Sequence, residues 1–115
     1  MPVEIRRLLF TDDEFRAAVD ELLAGGRAKL PRGRVVQMEI TTEDPLAAGL
    51  SIQTEHGQVE RATLDDAHAA AAVIAYCRKR SIPLPRSGSK SLRRTSKGIA
   101  FDVTLKESDR QKASA

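Results

Sequence analysis

Basic residues are concentrated in one stretch of the C-terminal half of the chain. Between residues 78 and 97 there are eight lysines and arginines and no acidic residue. Serine and glycine residues separate these charges, which leaves backbone amides free to approach an anion beside them. The pattern predicts an anion- or partner-binding surface formed by Arg86, Lys90, Arg93, Arg94 and Lys97.

A second, smaller basic cluster follows the first predicted helix. It consists of Arg27, Lys29, Arg32 and Arg34. In a ferredoxin-like arrangement both helix-to-strand loops emerge at the same end of the domain, which would bring the two clusters together. We therefore include these four residues in the predicted surface.

Two functions fit a basic surface of this kind. The first is a small binding or adaptor domain that presents residues 86–97 to an acidic partner. The second is a nucleic-acid-binding protein that contacts phosphates non-specifically, so that its binding weakens steeply with salt. The basic segment contains no aromatic side chain on which bases could stack. An acidic partner is therefore the preferred prediction, and nucleic acid is the alternative.

A third explanation of the basic segment requires no ligand. The helix dipole favours basic residues at a helix C-terminus, which accounts for Arg78, Lys79 and Arg80. The remaining charges would then belong to a solvated loop.

Residues suited to catalysis are sparse, and we expect no enzymatic activity. His68 lies three residues after Asp65, a spacing that lets a carboxylate orient an imidazole, but a surface hydrogen bond or helix-start electrostatics is the preferred explanation of the pair. His56 lies in a predicted chain reversal. Cys77 is too far along the helix from His68 to form a thiolate–imidazole pair and is expected to fill core space. No Cys/His cluster has the spacing of a metal site, so no metal or cofactor is predicted.

Length and composition predict one globular domain. The 115 residues are 41% hydrophobic and 30% charged, with a net charge of +3, as in ordinary folded proteins. The sequence has neither an apolar run of about 18 residues nor a leader with a basic and then an apolar region, so it predicts a cytoplasmic protein without a membrane segment. The predicted domain spans 1–105, with a flexible basic loop at 81–98 and a polar, disordered tail at 106–115.

Two helices carry clear signals. A Thr-x-x-Glu capping box at Thr11 begins the first, and Gly25 with Gly26 ends it. The second begins near Asp65 and runs to about Arg80. The first presents an apolar stripe of Phe15, Val19, Leu22 and Leu23, and the second a main face of Ala67, Ala70, Ala71, Ile74 and Cys77.

The second predicted helix also carries an additional apolar stripe. Ala69, Val73 and Tyr76 follow one another at i, i+4 and i+7, away from the predicted main face. If contact with the first helix leaves this stripe exposed, it is a candidate homodimer surface.

Alternating apolar residues predict four strands. They lie near residues 3–10, 36–41, 50–54 and 99–105, and residues 59–62 offer a short fifth strand. In the first strand Val3 and Ile5 are expected to face inward, with Glu4 and Arg6 on the other face. The order β-α-β-β-α-β predicts a two-layer α+β domain, with two helices on one face of a four- or five-stranded, mostly antiparallel sheet. A ferredoxin-like topology fits this order best.

Overall fold

The computed structural model describes residues 2–26 and 29–106 and has an α+β fold. Within these residues the elements are β1 (Glu4–Phe10), α1 (Asp12–Gly25), β2 (Gly33–Glu43), β3 (Leu46–Thr54), β4 (Val59–Leu64), α2 (Asp66–Lys79), β5 (Ser89–Thr95) and β6 (Gly98–Leu105). The strands form two antiparallel sheets of three strands each. We call the sheet of order β1-β6-β5 the terminal sheet and that of order β2-β3-β4 the meander sheet.

The predicted α+β class is confirmed, but the single ferredoxin-like sheet is wrong. The short strand near residue 60 is β4, and the segment predicted as a flexible loop at 81–98 contains β5. A tight turn at residues 96–97 joins β5 to β6 as a hairpin, so the neighbour of β6 comes from the adjacent segment of chain. Strands β2, β3 and β4 likewise pair with their sequence neighbours. Two three-stranded sheets therefore replace the single predicted sheet, and only the β1–β6 pair joins strands that are distant in sequence.

Helix α1 agrees with its sequence signals. The Thr11 hydroxyl accepts a hydrogen bond from the Glu14 amide at 3.1 Å, and the Glu14 carboxylate accepts one from the Thr11 amide at 2.9 Å. At the other end Gly26 has a φ of 66°, the left-handed conformation that glycine adopts readily. The buried face consists of Phe15, Ala18, Val19 and Leu23.

Helix α2 buries a different face from the one predicted. Ala67 and Ala71 are exposed, whereas Ala69 and Val73 are fully buried. Tyr76 is 8% exposed, and its ring lies edge-on to that of Phe10, with 6.0 Å between ring centroids. Alanines occur on every side of this helix, so their spacing does not indicate which face is buried. The larger Val73 and Tyr76 side chains pack in the core instead. The stripe predicted as a homodimer surface is therefore part of the core.

One core joins the helices to both sheets. Helix α1 contacts β1, β2 and β6, helix α2 contacts β3 and β5, and the helices contact each other. Buried side chains from all eight elements contribute to one cluster. Residues 2–26 and 29–106 thus form one compact domain; the rest of the predicted tail, at 107–115, lies outside the described residues.

Two strands differ from the predicted pattern of buried residues. In β1, Phe10 is buried and Ile5 is 58% exposed, because alternate side chains face opposite sides and Phe10 fixes which side is the core. In β2, a register shift between Val35 and Gln37 buries Val35 and leaves Val36 exposed. Such a bulge places one extra residue in a strand and reverses the alternation beyond it.

Candidate partner-binding surface

The end of α2 sets the course of the basic segment. The Ile82 amide donates to the Cys77 carbonyl at 2.9 Å and the Ser81 amide to the Arg78 carbonyl at 3.2 Å, while Ser81 has a φ of 57°. This is a Schellman motif with serine in the position that usually holds glycine. Pro83 and Pro85 then keep the chain out of the helical conformation, and a bend at residues 86–88 leads into β5.

Strand β5 divides the predicted site residues between two faces of the terminal sheet. Leu92 is buried in the core, so Lys90 and Arg94, each two residues away, lie on the same inner side. Arg93 lies on the outer side, away from the core. A flat basic patch that contains every predicted residue is therefore not formed.

Ion pairs within the domain occupy several of the predicted charges. Both Nη groups of Arg94 donate to the Asp12 carboxylate, at 2.8 and 3.0 Å, where α1 begins. Nε of Arg93 lies 3.4 Å from Oδ2 of Asp102. The Arg94 pair connects the β5–β6 hairpin to α1, so Arg94 has a structural partner that the sequence did not reveal.

A groove on the inner side is lined by three cations, Arg78, Arg86 and Lys90. Its volume is about 410 Å³, and it lies between the C-terminal half of α2, the proline-containing connection and the start of β5. Ion pairs between Arg78, Arg86 or Lys90 and a carboxylate are absent within residues 2–26 and 29–106. The groove is lined by Ile74, Arg78, Ile82, Leu84, Pro85, Arg86 and Lys90.

The groove combines an apolar floor with a cationic rim. Ile74 and Leu84 are half-buried, and Arg78 and Arg86 are exposed. Lys90 is half-buried and its Nζ lies 3.4 Å from the Gly88 carbonyl. An ammonium group has three donors, so Lys90 retains hydrogen-bonding capacity for a ligand.

A second cationic feature, the outer depression, lies on the face of the terminal sheet that points away from the core. It has a volume of about 230 Å³ and is lined by Arg7, Leu9, Arg93, Thr95, Ser96, Lys97 and Ala100. Asp102 of β6 lies beside it. Its Oδ1 accepts a hydrogen bond from Arg7 Nε at 2.7 Å, and its Oδ2 accepts one from Arg7 Nη2 at 3.2 Å.

Asp102 is the acidic partner of two arginines from different strands. Its side chain is only 12% exposed, whereas those of Arg7 and Arg93 are 48% and 34% exposed. The hydrogen bonds and charge of Arg7, supplemented by Arg93, hold the pKa of Asp102 below its usual value despite desolvation. Arg7 and Asp102 were not among the site residues predicted from the sequence. A lone carboxylate among the apolar residues of β6 was the available signal.

The cluster at residues 27–34 is not joined to either feature. Arg27 lies outside the described residues. Arg32 donates to the Ala24 carbonyl at 3.3 Å and lies 4.0 Å from Glu55. Lys29 and Arg34 are exposed, and neither lines the groove or the outer depression.

The residues considered for catalysis remain separate from both features. Asp65 caps α2 by accepting a hydrogen bond from the His68 amide at 2.8 Å, and Nδ1 of His68 lies 2.9 Å from the same carboxylate oxygen. Neither His68 nor His56 lines the groove or the outer depression. Cys77 is fully buried, as predicted, and burial raises the pKa of its thiol.

Residues 2–26 and 29–106 contain no group of three or more His, Cys, Asp or Glu side chains arranged to hold a metal ion. Neither of their helices has the length and apolar character needed to cross a bilayer. Comparison of the chain with protein-family models, with curated proteins and with solved structures finds no match in any of the three.

Proposed function

We propose that this protein is a non-enzymatic binding domain that holds an acidic segment of a partner protein in the groove between α2 and β5. The observation that carries the proposal is the combination of three cations with an apolar floor. Arg78, Arg86 and Lys90 have no carboxylate partner among the described residues. A ligand with carboxylates can provide those partners and bury the floor at the same time.

The shape of the groove favours a peptide segment over a small anion. Its volume of about 410 Å³ falls within the range of roughly 300 to 1,000 Å³ typical of ligand pockets. Burial of one Leu- or Ile-sized side chain contributes about 1.5–3 kcal/mol. Hydrogen bonds between a guanidinium and a carboxylate are stronger than neutral ones and fix the orientation of the ligand. The preferred segment therefore carries an apolar side chain flanked by Asp or Glu.

The same features favour a protein partner over nucleic acid. An apolar floor gains nothing from contact with phosphates, and the groove offers no aromatic side chain for base stacking. Arg93 and Arg94 are paired with Asp102 and Asp12 and lie on opposite sides of β5. A stretch of phosphate backbone that lies on one face of the terminal sheet would therefore contact only one of these two arginines.

Selection from a random peptide library tests the proposal directly. We would select displayed dodecapeptides on the native protein and measure the binding of enriched, fluorescently labelled peptides by anisotropy. The expected sequences combine Asp or Glu with Leu, Ile, Val or Phe. Arg86→Ser with Lys90→Ser should weaken binding at least tenfold, and Leu84→Ala should weaken it without any change in charge.

The matched control removes the same charge elsewhere. Lys29→Ser with Arg34→Ser affects two exposed residues that do not line the groove and should leave peptide affinity within about twofold. Equal weakening by both pairs would show that only net charge matters and would overturn the proposal. So would binding of labelled DNA or RNA that falls steeply between roughly 50 and 200 mM salt and is lost in the groove variant, a result that would favour nucleic acid.

A further inference from the structure

The outer depression brings together three cations from three parts of the chain. Arg7 lies on β1, Arg93 on β5, and Lys97 in the turn between β5 and β6. We propose that this depression is a separate binding site for a doubly charged oxyanion of the phosphate type. It faces the opposite side of β5 from the groove, so the proposal does not depend on the proposed function.

Asp102 organises the site from below. Its two carboxylate oxygens engage Arg7 and Arg93 from opposite sides of β6, which restricts both guanidinium groups before a ligand arrives. Ligand binding then costs less side-chain entropy. The three cations and the single carboxylate give the site a net charge of two positive units. The Asp102 carboxylate is less exposed than the guanidinium groups of Arg7 and Arg93. A ligand at the mouth of the depression therefore meets the cations first.

Donors remain available after the contacts with Asp102. Arg7 donates to Asp102 through Nε and Nη2, so its Nη1 group can still donate to a ligand. Arg93 donates through Nε, so both of its Nη groups can still donate. The Lys97 ammonium has no ion pair within residues 2–26 and 29–106. Arginine suits an oxyanion because its planar array of donors matches the oxygens of phosphate or carboxylate.

Hydrogen bonds in the β5–β6 turn hold the backbone of Lys97. The Thr95 hydroxyl donates to the Gly98 carbonyl at 2.8 Å and accepts from the Lys97 amide at 3.2 Å. Gly98 packs so closely on β1 that a Cβ atom there would lie 2.6 Å from the Phe10 carbonyl oxygen. The turn therefore packs directly against β1, the strand that carries Arg7.

The wall of the depression leaves space for the ligand. Ala100 lies on β6 between Leu9 and Arg93 in the strand register and has a small side chain. The volume of about 230 Å³ is several times the roughly 30 Å³ that one water molecule occupies in the liquid. Ser96 adds a hydroxyl at the rim, and hydroxyls of this kind commonly accompany arginine in phosphate binding.

NMR titration with inorganic phosphate tests the site. Phosphate would be added to the ¹⁵N-labelled protein at pH 7.5 while sodium chloride is reduced to keep the ionic strength constant. We expect saturable shifts of the amide signals of residues 95–98. Lys97→Met should weaken phosphate binding roughly tenfold, equivalent to the loss of one charge-assisted hydrogen bond. Arg93→Gln should weaken it by a similar factor.

Two controls separate this site from net charge and from the groove. Lys29→Met makes the same charge change at an exposed residue away from the depression and should leave the phosphate affinity unchanged, as should Arg86→Ser with Lys90→Ser. Shifts that do not saturate at constant ionic strength would overturn the proposal, as would equal weakening by Lys29→Met and Lys97→Met. Loss of phosphate binding only in the groove variant would place the anion in the groove instead.

Discussion

Arg80 connects the two helices through Glu21. Its Nη1 and Nη2 donate to the two carboxylate oxygens of Glu21 at 3.1 and 2.8 Å, and its guanidinium carbon lies 3.5 Å from the centroid of the Tyr76 ring. From the sequence, Arg80 is explained by the helix dipole, which favours a basic residue at a helix C-terminus. The structure instead gives it a partner on α1 and a stacking contact beneath it.

A double-mutant cycle measures the coupling between these residues. Arg80→Met and Glu21→Gln should each destabilise the domain. Their interaction energy should be about 0.5–1 kcal/mol, because the two side chains are 38% and 27% exposed and such pairs are partly screened. Urea unfolding of the native protein, the two single variants and the double variant gives the free energies of unfolding for the cycle. Additive effects of the two substitutions would show that the contact does not stabilise the fold.

Arg80→Lys keeps the charge and should recover only part of the coupling, because lysine lacks the planar fork.

Ser81→Gly should stabilise the protein by about 1 kcal/mol. The native Ser81 backbone has a φ of 57°, and a residue with a Cβ atom pays roughly 1–2 kcal/mol in that conformation. The midpoint and slope of urea unfolding measure the change. Ser89→Gly is the matched control, because Ser89 lies in β5, where glycine is expected to destabilise by about 0.5–1 kcal/mol. A fall in stability for both variants would contradict the role assigned to Ser81.

Asp102→Asn should destabilise the domain at neutral pH by about 1.5–3 kcal/mol, the range for a hydrogen bond to a charged group. Arg7 lowers the pKa of Asp102 in the folded protein relative to an unfolded value near 3.9. The carboxylate therefore stabilises the fold fully above that unfolded value, and this contribution is lost as pH falls through the folded pKa.

Urea unfolding of both proteins between neutral and strongly acidic pH tests that assignment. The stability difference between native protein and Asp102→Asn should be largest at neutral pH and should narrow under acid, where the native side chain is also uncharged. A difference that stays constant across the range would mean that packing, and not the charge of Asp102, accounts for the loss. Glu21 titrates in both proteins, so its contribution cancels in the comparison.

Gly33→Ala should destabilise the domain by about 1–3 kcal/mol, the range for inserting an atom into a packed site. A Cβ atom at Gly33 would meet the Gln53 carbonyl oxygen across the β2–β3 ladder. Gly25→Ala is the matched control, because a Cβ atom there has no neighbour within 4 Å and alanine favours the end of α1 by up to about 1 kcal/mol. Thermal unfolding distinguishes the two. Equal melting temperatures for both variants would be inconsistent with this packing.

The sequence predicted elements best where the signals are local and agree with one another. The capping box at Thr11 and the apolar spacing from Phe15 to Leu23 specify α1 locally, and β6 alternates cleanly. The basic segment was misassigned because β5 has Leu92 as its only apolar residue, so its alternation is weak. It is a strand because it pairs with β6 on one side and buries Leu92 in the core.

The candidate site depends on contacts that are distant in sequence. Arg7 and Asp102 are 95 residues apart, and Arg94 and Asp12 are 82 apart. Charge counts identify the basic residues but not which of them acquire carboxylate partners. The sequence therefore predicted Arg86, Lys90, Arg93 and Lys97 as cations of interest but could not divide them between a groove and an outer depression.

The alternation of β5 makes the two surfaces independently variable. Substitutions at even-numbered positions such as Lys90 change the side of β5 that faces α2. Substitutions at odd-numbered positions such as Arg93 change the opposite side of the same strand. A substitution can therefore retune one surface while the other keeps its side chains. Insertion of a single residue within β5 has the contrary effect: it exchanges the two sets of side chains beyond that point and changes both surfaces together.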